Sequence, residues 1–149
     1  MIALRFAAVF AAATFIFSTP AFSASNGFEV ALNSSDTLYA QGRFQEAIPH
    51  AKQALAIAER KMSVDDVAYA ALLDNLAALY EAELDYTKAR PLYRRALEIR
   101  LQTYGPKHPD LVNSLINLAL IYDALGDYSA AKNLDARATE IIEASNRQD

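Results

Sequence analysis

Cysteine is absent from this sequence, and glycine and proline are scarce, at 4 and 5 among 149 residues. Without cysteine there is no disulfide, no thiolate nucleophile and no lipid attachment through sulfur. A chain without cysteine is compatible with an oxidising compartment. No glycine-rich phosphate loop occurs, and no serine stands in a nucleophile-elbow pattern. The two histidines, His50 and His108, are far apart and lack metal-ligand spacing. His108 precedes Pro109 at a helix start, which is a structural position. Basic excess is missing too: the formal charge of −4 gives no footprint for nucleic acid. Nor does any stretch alternate apolar and polar residues long enough to form a strand. These absences leave no catalytic constellation, no cofactor site and no metal site, so a non-enzymatic role is expected.

What is present is a period. Gly42, Leu84 and Gly126 stand 42 residues apart, as do Phe44, Tyr86 and Tyr128. Ala47, Ala89 and Ala131 keep the same step, and so do Ala54, Ala96 and Ala138, and Ile57, Ile99 and Ile141. Leu38, Tyr80 and Tyr122 follow it, with Leu76 matching Leu118 and Asn75 matching Asn117. A fixed step of this length marks a solenoid, in which each unit buries its apolar face against its neighbours.

The 53% hydrophobic content suffices for one domain. Residues 1–23 read separately, as a secretory signal peptide: Arg5, an uncharged run from Phe6 to Phe17, then Pro20 and small residues. Ala21 and Ser23 suit the −3 and −1 positions of a cleavage site after Ser23. The run is short against the roughly 20 residues of a membrane span. Export to a periplasm or beyond is therefore expected, with residues 4–17 as an uncleaved membrane anchor in the alternative.

Helical periodicity then predicts an all-α chain of six helices: Phe28 to about Gln41, Phe44 to Lys61, a third ending near Ala82, Tyr86 to Tyr104, Asp110 to Ala124, and Tyr128 to Ala144. Ser63-Val64-Asp65-Asp66 supplies capping oxygens, and Gly105-Pro106-Lys107-His108-Pro109 is the clearest break. The units are about 28–62, 65–104 and 108–144, followed by a polar tail at 145–149. Tyr93, Ala96, Leu97 and Ile99 are expected to fill the gap to the following unit. The ends are more polar than the middle. Ala31, Ser34 and Ser35 replace Leu73, Leu76 and Ala77, while Asp135 and Thr139 replace Tyr93 and Leu97, as expected of terminal units in a three-unit array.

The segment YTKARPLYRRALEIRLQTYGPKHPDLVNSLINLALIY resembles, almost column by column, the 42-residue tetratricopeptide repeat of kinesin light chains. The likeness extends from Phe28 to about Ile142. It departs at Leu84, where the other copies have glycine, and in the degenerate first unit. The resemblance implies a right-handed α-solenoid whose first helices line a concave groove for peptides or partner proteins, and it implies no enzyme activity. Its groove columns map onto Glu29, Leu32, Asn33, Asp36, Tyr39 and Ala40 in the first unit. In the second they are Ala71, Asp74, Asn75, Ala78, Glu81 and Ala82; in the third, Asn113, Ile116, Asn117, Leu120, Asp123 and Ala124.

Asn33, Asn75 and Asn117 form one column. Amides offer donor and acceptor together, so such a ladder can hold an extended peptide backbone; each amide can equally bond a neighbouring helix. No Lys or Arg stands in the groove columns, which disfavours capture of a terminal carboxylate. Acids mixed with Leu32, Ile116 and Leu120 favour a partner segment with basic and apolar character. The basic residues of the fourth helix, Lys88, Arg90, Arg94, Arg95 and Arg100, read as a solvated outer face partly paired with Glu98 and Glu81. A second function class stays open: a structural subunit of an envelope complex acting by self-association, with Ile141 and Ile142 as its adhesive edge.

Overall fold

The structure is a computed structural model that describes residues 22–61 and 63–147, with side chains from Gly27 onward. The expected signal peptide therefore lies almost wholly outside the described residues. Six helices follow one another: α1 (Phe22–Ala40), α2 (Phe44–Lys61), α3 (Val67–Ala82), α4 (Tyr86–Tyr104), α5 (Leu111–Ala124) and α6 (Tyr128–Asn146). No strand occurs among the described residues. The helix α1 begins six residues before the expected Phe28, so a cut after Ser23 would fall in its first turn. At the other end α6 runs two residues past Ala144 into the polar tail.

Each helix packs chiefly on the next in sequence, and more extensively within a pair than between pairs. The pairs α1–α2, α3–α4 and α5–α6 stack in a row, giving an all-α helical-repeat solenoid. One core cluster joins Leu76 and Leu79 of α3 to Tyr93 and Leu97 of α4 and to Leu111, Leu115 and Leu118 of α5. A second joins Ala58 of α2 with Tyr69, Leu72 and Leu73 of α3 and Ala96 and Ile99 of α4. This corrects one expectation. Tyr93 and Leu97 belong to the cluster that reaches α5, but Ala96 and Ile99 pack with α2 and α3, because Ile99 is turned well away from Leu97 about the axis of α4.

The largest fully buried side chains are Leu79, Ile99, Leu111, Leu115 and Ile121, all between α3 and α5. The helices α1 and α2 bury mainly alanines, such as Ala31, Ala47, Ala54 and Ala58, so the first unit has less apolar area to hold it.

The turn inside each unit is built the same way three times. Gly42 N–H donates to Tyr39 C=O and Arg43 N–H to Leu38 C=O. The pattern repeats as Leu84 to Glu81 with Asp85 to Tyr80, and as Gly126 to Asp123 with Asp127 to Tyr122. These are Schellman closures, and their next-to-last residue must be left-handed. Gly42 and Gly126 meet that at φ 72° and 82° without penalty, while Leu84 is forced to φ 60° with its side chain 71% exposed. The residue ending each closure starts the next helix. Asp85 and Asp127 accept the backbone N–H of Lys88 at 3.2 Å and of Ala130 at 3.1 Å, so one short turn caps two helices. At the start of α3, Asp66 caps Ala68 N–H at 2.7 Å.

Replacing Leu84 with glycine should remove a strain of about 1–2 kcal/mol and raise the urea midpoint at unchanged slope. Lowered stability would show that the leucine side chain is held by contacts that outweigh its backbone cost. A second expectation concerns alkaline pH. The Tyr69 hydroxyl donates to Glu59 at 2.7 Å across the first joint. Burial, and then the bond to Glu59 and its charge, push this hydroxyl from 10.0 up to about 12. The folded state thus holds the proton more tightly. The associated stability is full below pH 10.0 and declines as pH rises through about 12. Denaturant titrations should show that decline, and Tyr69→Phe should make it shallower; an identical decline in the variant would assign it elsewhere.

Candidate partner-binding face

Turning Leu72, Leu76 and Leu79 into the core leaves the opposite side of α3 open, and α1 and α5 follow the same rule. That open side carries the expected groove columns, and none of those residues is buried. In register across the three helices stand Glu29, Ala71 and Asn113; Leu32, Asp74 and Ile116; and Asn33, Asn75 and Asn117. Asp36, Ala78 and Leu120 follow, then Tyr39, Glu81 and Asp123, and last Ala40, Ala82 and Ala124.

Asn33 and Asn75 are exposed and Asn117 is half-buried. No side-chain amide of the three has a hydrogen-bond partner among the described residues, so none is spent on a neighbouring helix. Tyr39 is 40% exposed and its ring meets that of Phe44 edge to face, with centroids 5.3 Å apart. Leu120 is 54% exposed and Ile116 37%, so α5 offers aliphatic surface where α3 offers Asp74 and Ala78.

The acids of this face differ in what they already hold. Asp74 Oδ2 accepts Arg100 Nη2 at 2.6 Å, and the other arm of that guanidinium, Nη1, donates to Ser114 Oγ at 2.8 Å. Arg100 therefore ties α3, α4 and α5 together, with its side chain only 14% exposed. This overturns the expectation that Arg100 belongs to the solvated outer face. Asp74 Oδ1 is buried without a partner, and burial lifts this carboxyl above its ordinary range, with Arg100 pulling part of that back.

Glu81 also departs from expectation. It accepts the Tyr93 hydroxyl at 2.7 Å and pairs with no arginine. Burial first, then the Glu81 charge, push the Tyr93 hydroxyl far above its usual range, so it remains a donor fixing that carboxylate. Asp36 has no partner among the described residues, and its own partial burial raises its carboxyl.

The remaining cations of α4 do lie outward. Arg94 meets Glu98 at 3.7 Å, Arg95 meets Asp65 at 2.7 Å and Glu98 at 3.6 Å, and Lys88 meets Asp85. Lys88 also sits over the Tyr80 ring at 5.3 Å, and Arg90 over the Tyr122 ring at 6.0 Å. His108 stacks on Tyr104 with centroids 4.6 Å apart and accepts Asp110 N–H at Nδ1, a local helix-entry device.

Arg100 and Ser114 were missed in the sequence, yet a signal was there. Arg100 occupies the column of Ala58 and Ile142, and Asp74 that of Leu32 and Ile116. Opposite charges that enter two otherwise apolar columns in the same unit point to a pair.

The sequence profile of the tetratricopeptide repeat matches residues 28–84 and 67–144. No curated protein matches the sequence. Among solved structures, BtubC (BKLC) from P. vanneervenii superposes with a TM-score of 0.72 at 30% identity, over 80% of this chain and 48% of that one. A putative kinesin light chain from Podosopora anserina with nearly identical TPR-like repeats gives 0.64 at 25% identity, over 78% of this chain and 54% of that one. The TPR domain of Arabidopsis FLU gives 0.67 at 17% identity, over 81% and 98%, a likeness of fold alone. The chain thus spans about half the length of the BtubC and P. anserina structures. Domains of this kind are in general non-catalytic scaffolds that bind proteins or peptides. With its phased helix pairs, its threefold Schellman turns and a profile match over most of its length, this chain belongs to the tetratricopeptide repeat family.

Proposed function

We propose that this chain is an exported, non-enzymatic interaction module that captures a partner protein segment along the open face of α1, α3 and α5. The observation that carries this is the column Asn33, Asn75, Asn117: three amides in register, none consumed by the fold. An extended backbone laid across them can donate to and accept from each in turn. The surrounding Asp36, Glu81, Asp123, Ile116 and Leu120 favour a segment with basic and apolar side chains.

Capture on the face is better supported than assembly by stacking. At the α1 end a depression of about 400 Å³ is lined by Asn33, Ser34, Thr37, Gln41, Arg43 and His50, with one leucine, Leu38. The corresponding inner positions include Leu76, Leu79 and Leu92. That end presents a further copy mainly polar side chains, and at the α6 end Ile141 is buried, which leaves Ile142 alone of the expected adhesive pair exposed.

In a pull-down from the envelope fraction, Asn75→Ala with Asn117→Ala should cut partner capture about tenfold or more, with the helical circular dichroism unchanged. Undiminished capture would remove the asparagine face from the account. The export reading predicts that the protein recovered from cells starts near Ala24, as intact-mass measurement would show. An unprocessed chain in the cytoplasm would contradict it.

A further inference from the structure

We infer that the groove reads its partner in two parts, with a basic side chain seated between α1 and α3 and an aliphatic one seated on α5. The inference rests on the groove reading above and specifies which part of the groove does what.

Three features carry it. The first is that the acids are not equivalent. Asp74 is already neutralised by Arg100 at 2.6 Å, so it has little left for a partner cation. Glu81 and Asp36 have no cation among the described residues. Glu81 is held in place by the Tyr93 hydroxyl, which orients it without neutralising it, while Asp36 is partly desolvated and uncompensated. A partly buried carboxylate with no counter-charge is a cost that an incoming ammonium or guanidinium relieves.

The second feature is Tyr39. It occupies the same row as Glu81 on the neighbouring helix and is 40% exposed. Its ring is pinned by Phe44, so its face can flank the same cation. The third is that the chemistry changes on α5. Ile116 takes the row of Asp74 and Leu120 the row of Asp36 and Ala78, and both aliphatic side chains are exposed. Two large aliphatics one turn apart on an open face are an anchor for an apolar side chain.

The open sides of α1, α3 and α5 succeed one another at about one helix diameter, roughly 10–12 Å, and an extended chain advances about 3.3 Å per residue. The basic and aliphatic residues of the partner should therefore be separated by about three to six positions.

The test uses the chain as the cell processes it and labelled synthetic peptides of about ten residues. Each carries one lysine and one leucine with about four polar residues between them, in both orders, beside versions with Lys→Gln or Leu→Ser. Fluorescence anisotropy should show that one order binds better and that each peptide change weakens it about fivefold or more. Glu81→Gln with Asp36→Asn should erase the lysine preference and the salt dependence while keeping the leucine preference. Leu120→Ser should do the reverse. Binding that falls with Asn75→Ala and Asn117→Ala but ignores Glu81, Asp36 and Leu120 overturns the two-part reading and leaves the groove in use. Absence of binding by every peptide to the folded chain also overturns it, and the pull-down then decides the groove reading separately.

Discussion

Each first helix after α1 has to be covered on two sides at once, and the rest of the structure follows from that constraint. The helix α5 shows it best. Leu111, Leu115, Leu118 and Ile121 are almost completely buried, and no single neighbour could hide them. They are covered by α4 before and α6 after, the two helices that α5 contacts most. Alone, an isolated helix of this length would be marginal in water. Wedged between two others, it contributes three of the largest fully buried side chains among the described residues. Because coverage comes from sequence neighbours, the chain needs no long-range topology, and a single step of 42 residues specifies the whole stack.

The same constraint creates the open face. A helix packed on both flanks has one side left, and on α1, α3 and α5 those sides stand in register. Apart from Leu32, which leans on the core, side chains there carry little packing duty, and Asn33, Asn75 and Asn117 remain unpaired among the described residues. The exceptions show what the face costs. Where Asp74 entered a position that is Leu32 or Ile116 elsewhere, a guanidinium had to follow from α4, and even so one carboxylate oxygen stays buried and unpartnered. Glu81 needed the hydroxyl of Tyr93, at a position where the other units have Ala51 and Asp135. Polar groups of the face are thus wired to the joint between the second and third units, so the face proposed for capture and the joint share residues.

Much of this was legible in the sequence. The period gave the number of units and the helix ends from Phe44 to Ala124 to within a residue or so, because turn chemistry and apolar spacing are local. The open side of each first helix came from the family resemblance, which supplied the columns by position. What escaped was set by contacts between elements. Arg100 reads as one more surface cation until α3 and α5 stand beside it. Ala96 and Ile99 share a helix with Tyr93 and Leu97, but only the packing shows that the two pairs serve different neighbours. The early start of α1 escaped because Ala24 to Gly27 has no apolar periodicity to announce a helix.

Stability built from neighbours alone should not be uniform along the stack. The helices α3 to α5 hold the largest buried side chains, while α1 and α2 rely mainly on alanine. Native-state amide hydrogen exchange, resolved by helix, tests this most directly. The account predicts the slowest exchange in α3, α4 and α5, with α1 opening at much lower free energy. Equal protection across all six helices, moving as one unit, would contradict it.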